Sequence, residues 1–277
     1  MSALTDLVSE PPLRRAFVES VITGVVGGVV GVRVVLRKLS FATMALTHAT
    51  LPGVVIAALL GINLLIGSAI FGLLVVLAIA LATHRSDLDE SSGTGVILVG
   101  GLGLGVLLAS AQSGFTKNLT AYLVGSVLTV STTDIWVTAA IGLLAIGTVT
   151  ALATPLTITA FDPDGAEASG MPTWVIDAIL LGVVQITLVA TVPTVGVVLS
   201  VAMLVAPAAA ARMWTDRIPT ATALAAALGA LCGPVGLLLS RRYDVAAGAT
   251  IALVAGAVFA LSAIAAPLLR SVCASPA

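Results

Sequence analysis

The sequence predicts an all-α protein threaded many times through a membrane, and three observations predict it. Hydrophobic residues make up 59% of the 277-residue chain and charged residues only 9%, whereas soluble domains carry about a quarter charged residues. Mean hydropathy is +1.18. Apolar runs recur along the chain between short polar or Gly/Pro-containing connectors, and about 20 such residues cross a bilayer as a helix. About eight or nine transmembrane helices are expected at that length. They form one domain over residues 17–270, between a polar N-terminal segment (1–16) and a tail (271–277).

Composition also excludes functions. The net charge is −1 and no basic run is long enough to suggest nucleic acid. Lysine occurs only at Lys38 and Lys117, and neither lies in G-x-x-x-x-G-K-[ST]. The chain therefore lacks a P-loop, and any ATP-driven role needs a partner subunit. Cys232 and Cys273 read as a buried small hydrophobe and a tail thiol, not as a disulfide or metal site. The first residues have no basic segment followed by an apolar stretch, so no cleaved signal peptide is expected. No permanently bound cofactor is expected either.

The first span covers 17–35, and Gly24, Gly27, Gly28 and Gly31 give it small-x-x-x-small pairs, which let helices approach closely in lipid. Arg33, Arg37 and Lys38 form a basic hinge into the second span, 40–60. Gly61-Ile62-Asn63 turns the chain into the third, 64–82, and His84 is read as a solvated loop residue, the alternative being an adventitious metal contact with Asp87. The fourth span, 93–110, is so rich in glycine that it must lie against another backbone or lose substantial chain entropy. A half-apolar piece at 119–130 is too short to cross and reads as interfacial or re-entrant. The fifth span is 133–153. Asp162 caps a two-turn helix that Gly170 ends before Pro172, and this element serves either as a docking site or as a solvated connector. Four more spans follow, at 175–192, 195–213, 220–239 and 246–269. The prolines Pro52, Pro193, Pro207 and Pro234 are expected to break or kink helices around a cavity, or to kink them only for packing. Asp177 and Gln185 read as interfacial or interhelical polar contacts, with Gln185 also able to face a path.

The chemistry concentrates in L-S-F-A-T-M-A-L-T-H-A-T-L-P-G, residues 39–53. His48 sits within a segment apolar enough to span, where an ionisable group is a functional candidate. On a helix Met44 lies one turn from His48, with Thr43 and Thr47 beside them and Pro52 one turn on. That collection offers soft and borderline metal ligands. The competing reading is a neutral histidine bonded to a neighbouring helix. Loops after spans one, three, five and seven carry Arg33, Arg37, Lys38, Arg85, Arg212 and Arg217, against Lys117, Arg241 and Arg242 on the alternate side. The positive-inside bias puts the Asp162 loop in the cytoplasm and the N-terminus outside. His48 then lies about a third of the way into the bilayer from the cytoplasmic side.

Several stretches, in order, resemble the permease subunit of bacterial ABC-type importers of zinc, manganese or iron, the ABC-3 family. L-S-F-A-T-M-A-L-T-H-A-T-L-P-G resembles the family's L-S-L-x-G-D-A-x-S-H-A-x-L-P-G, and L-T-A-Y-L-V-G-S-V-L-T-V-S-T-T-D its L-T-x-Y-L-F-G-N-I-L-x-V-S-x-x-D. F-D-P-D-G-A-E-A-S-G-M-P and V-G-V-V-L-S-V-A-M-L-V-A-P-A-A-A-A-R have counterparts too, as does D-V-A-A-G-A-T-I-A-L-V. The likeness spans roughly residues 17–268. It implies a homodimeric pore in the bacterial inner membrane, working with two ABC ATPase subunits and an extracellular substrate-binding protein, and passing a divalent ion such as Zn, Mn or Fe. By that likeness His48, with Met44 and Thr47, lines the translocation path. Phe161, Asp162, Pro163, Glu167 and Gly170 form the element that contacts the ATPase.

Two departures stand out. Met44 replaces the family's aspartate, and Pro193 stands in place of a glutamine often found before V-G. A thioether offers neither charge nor much affinity for a hard ion, which points to a weaker site, a softer cargo or a chelate. The same architecture carrying a metal chelate is therefore the alternative. An intramembrane hydrolase pairing Ser126 with His48 lacks both a G-x-S-x-G elbow and an acidic orienter.

Overall fold

Pro11 and Pro12 preset the backbone for a first helical turn, and in the computed structural model helix α1 runs Pro11–Leu36, starting ahead of the expected residue 17. The structure describes residues 10–85, 90–110 and 130–273. The interfacial piece at 119–130 (except Val130), Ser126, Lys117, residues 1–9 and the end of the tail lie outside the described residues. After α1 come α2 (Ser40–Ala49), α3 (Leu51–Leu60), α4 (Leu64–Arg85), α5 (Glu90–Ser110), α6 (Thr132–Ala151), α7 (Ala153–Phe161) and α8 (Pro163–Ala168). Then follow α9 (Thr173–Val195), α10 (Val197–Trp214), α11 (Ile218–Tyr243) and α12 (Ala247–Cys273). No strand occurs among the described residues.

Eight segments are long and apolar enough to cross a membrane, α2 and α3 counting together as one. The short α10 makes a ninth passage, because the ends it joins lie on opposite sides. Arg33 near the end of α1 shares a cleft with Ile218 and Pro219 at the start of α11, and Arg37 pairs with Asp177 near the start of α9. Thr83 of α4 faces Trp174 and Asp177 across a second cleft. These ends make one basic end of the bundle. At the opposite end Arg241 and Glu10 form an ion pair at 3.1 Å.

Helix α1 is the axis. It packs on α10, α11, α6 and α9, and α12 closes over α10 and α11. Its glycines are what allow this. A Cβ at Gly24 would overlap the carbonyl oxygen of Gly229, one at Gly28 that of Ala225, and one at Gly31 that of Leu204. Gly24 and Gly28 thus face α11, while Gly27 and Gly31 face α10. In lipid, where apolar burial drives no association, such close backbone contact supplies the attraction. The glycines of α5 divide differently: Gly101 meets Ala49 and Gly105 meets Leu51 and Pro52, but Gly95, Gly100 and Gly103 face open space. Only part of that helix's glycine content lies against a backbone.

Three expectations need correction. Pro207 and Pro234 do not break their helices, since α10 and α11 run through them. The Met203 carbonyl, deprived of a partner by Pro207, lies against α1 at Gly27, where a Cβ would stand 2.7 Å from it. Neighbouring helices can accommodate such a freed group. Helix α9 likewise passes Pro193 and ends at Val195, and the turn falls at Gly196 with φ 90°. The stretch after span five is also more ordered than its polarity suggested. Residues 153–161 form α7, whose threonines tie their hydroxyls into the helix itself: Thr157 donates to Ala153 O at 2.6 Å and Thr159 to Pro155 O at 2.9 Å. His84 belongs to α4 rather than to a loop.

Candidate functional site

The second span is interrupted at Thr50, between α2 and α3, two residues before Pro52. Pro52 has no N–H to offer the carbonyl of His48 four residues earlier. One face of α2 is sealed: Ala42, Thr43, Ala45, Leu46, Thr47 and Ala49 are buried. The opposite face is open, with Phe41 43% and Met44 48% exposed and His48 half-buried beside them. Met44 and His48 therefore share one open face. Thr47 does not join them. It is 5% exposed and donates its hydroxyl to Met44 O at 2.7 Å, just as Thr43 donates to Leu39 O at 3.1 Å. These hydroxyls are committed to their own helix.

An imidazole and a thioether on an open face can ligate a borderline or soft cation, but they do not enclose one. Among the described residues no group of three or more His, Cys, Asp and Glu gathers. At 1.5 Å per residue, His48 lies roughly 12 Å from the basic end of its helix.

At that basic end the α8 element is built as its residues demand. Asp162 Oδ1 accepts from Gly165 N at 2.9 Å, capping the N-terminus. Gly170, at φ 79°, reverses the chain, with Gly170 N donating to Glu167 O at 2.9 Å and Met171 N to Ala166 O at 3.0 Å. This pair of bonds is a Schellman closure. Only Ala166 is buried in α8. Phe161, Asp162, Pro163 and Glu167 stay exposed, which leaves an apolar ring among acids on the surface. Glu167 also lines the cleft with Thr83, Trp174 and Asp177.

Two arginines bolt this region to α1. Arg33 Nη1 donates to Thr157 Oγ1 at 2.8 Å, and Arg37 binds both the carbonyl of Thr159 and the carboxylate of Asp177. Asp177 is thus an interhelical contact. Gln185 is buried against Gly72 of α4, which makes it a packing residue too. The sequence reading passed over Glu19, which is wholly buried in α1 and accepts from Thr138 Oγ1 at 2.8 Å. A lone carboxylate in an apolar span was the available signal.

This geometry sits on a recognisable lineage. Residues 9–266 match the profile of the ABC 3 transport family. The manganese transport system membrane protein MntC of Halalkalibacterium halodurans is 38% identical over 95% of this chain and 91% of its own length. The manganese import system permease protein ScaB of Streptococcus gordonii is 34% identical over 93% and 92%. Among solved structures, PsaBC from Streptococcus pneumoniae, in complex with a Fab, superposes with a TM-score of 0.80 at 31% identity, covering 94% of each chain. The chain belongs to the ABC 3 transport family. It is a multi-pass protein of the bacterial inner membrane.

Proposed function

We propose that the chain is the permease subunit of an ATP-driven importer of divalent transition-metal ions, manganese first among them. In this reading it works as a homodimer with two cytoplasmic ABC ATPase subunits and an extracellular substrate-binding protein. The observation that carries the reading is the open Met44–His48 face of α2, beside a helix break at span depth. An ionisable group so placed is costly unless it faces a partner or a path. Two copies of that face, apposed across a two-fold axis, bring two imidazoles and two thioethers to one passage. Gly100 and Gly103 of α5, open to close approach, support the pairing. Relatives named for manganese transport and import supply the cargo class.

Alternating access then follows from rigid-body rocking of the helices around the site. The exposed Phe161, Asp162, Pro163 and Glu167, held in shape by Gly170, take the push of the ATPase, and Arg33 and Arg37 pass it to α1. Met44 favours a second cargo, because a thioether binds zinc or ferrous iron better than manganese. A chelate of such an ion remains the alternative substrate.

The test is uptake of radioactive Mn, Zn and Fe by cells that lack their own importers and express the chain with its ATPase and binding protein. His48→Ala is expected to lower uptake at least tenfold with the complex still assembled. Met44→Asp is expected to shift preference toward manganese. Unchanged uptake of all three ions by His48→Ala would remove that residue from the mechanism.

A further inference from the structure

Of the two arginines at the end of α1, only Arg37 has a counter-ion among the described residues. Arg37 is neutralised by Asp177. Arg33, one turn earlier and 9% exposed, has no carboxylate within 4 Å among the described residues. Among the described residues its hydrogen bond runs from Nη1 to the neutral Thr157 hydroxyl, and that hydroxyl already donates to Ala153 O. A guanidinium has five N–H donors, and burying it without a counter-charge is unfavourable.

The surroundings say what completes it. Arg33 lines an open cleft of about 350 Å³ with Ala153, Thr154, Ile158, Ile218 and Pro219. Ile218 and Pro219 are the first residues of α11, whose N-cap Arg217 makes no side-chain cap bond. The partial positive charge of that helix end therefore adds to the guanidinium. No acidic residue lines the cleft among the described residues, and its walls are mainly apolar. It lies at the end of the spans, where α7 follows α6, and Leu143 and Leu144 of α6 are exposed.

We propose that this cleft between α1, α7 and α11 binds an anionic phospholipid, its phosphate on Arg33 and the α11 N-terminus, its acyl chain along Ile158 and Pro219. A basic pocket between transmembrane helices with a greasy approach suits an anionic headgroup. Free inorganic phosphate would gain nothing from the apolar walls. The site uses neither His48 nor the α8 surface, and it shares with the proposed transport route only Arg33, so lipid retention by the purified chain is read without transport.

The full-length chain, purified in neutral detergent, is melted with added phosphatidylglycerol, phosphatidylcholine or inorganic phosphate, and its bound lipid is counted by native mass spectrometry. Phosphatidylglycerol is expected to raise the melting temperature and stay bound. The other two should do neither. Arg33→Gln should lower lipid retention about fivefold, the loss expected for one cation near an anionic surface, and Arg33→Lys should keep most of it. Should Arg33→Gln fail to fold, Thr154→Trp decides alone, because it fills the cleft from an exposed position and leaves the Arg33–Thr157 bond in place. Equal effects of the two lipids, a shift with phosphate alone, or retention undiminished in Thr154→Trp would overturn the proposal. So would displacement of the lipid by the ATPase subunit, which would make the cleft a protein contact.

Discussion

Arg37 and Asp177 show how a single pair can be read at the residue scale. Both are largely removed from solvent, so each compensates the buried charge of the other. Removing one leaves the other uncompensated, whereas replacing both by apolar groups of like size removes the cost together with the attraction. Arg37→Met alone is expected to destabilise the protein by about 3 kcal/mol. The double change Arg37→Met/Asp177→Leu should recover most of that in a denaturant or thermal melt. The pairing itself was only partly legible. Sequence marked Arg37 as a hinge cation and Asp177 as a polar contact, but they are joined by the fold and not by any spacing. His48 and Met44 sharing a face follows from helical periodicity alone. The withdrawal of Thr47 does not, because helix spacing gives a side chain's angle around the axis and not which hydroxyl its own backbone claims.

Among the elements, termini were more legible than interiors. The Asp162 and Gly170 ends of α8 were readable because capping chemistry is local. The same logic was available for α6, where Ser131 and Asp134 form a reciprocal capping box. Prolines misled, since what happens at Pro207 is decided by α1 lying against the freed carbonyl. Asp162→Ala should cost about 1 kcal/mol of local stability, and as α8 lies on the surface with only Ala166 buried, global melting should change little, while in the proposed complex ATPase stimulation should weaken. The α1–α11 seam answers differently. Gly28→Val would force its side chain into the Ala225 carbonyl, and overpacking of this kind costs about 2 kcal/mol or more. A sharp drop in melting temperature is expected, while Gly147→Ala, with nothing within 4 Å, should leave it unchanged.

At the scale of the whole molecule the fold class was plain from composition, because lipid admits few spanning architectures. Connectivity between ends was not plain until Arg37–Asp177 and Glu10–Arg241 placed them. With the basic end in the cytoplasm, a cysteine replacing exposed Tyr243 should react with an impermeant maleimide on intact cells, and one replacing Asp164 only after lysis. The opposite pattern would invert the proposed orientation. One detail ties the ends to the middle. Lys38 takes a left-handed backbone, φ 59°, and the bonds from Lys38 N to Val35 O and Leu39 N to Val34 O, at 3.1 and 2.9 Å, lock the corner between α1 and α2. Arg37, gripped by α7 and α9, stands at that corner, and Ser40 opens the helix bearing His48. The linkage resembles a crank: a sideways displacement of α7 is expected to pull through Arg37 on the corner that aims the imidazole's helix.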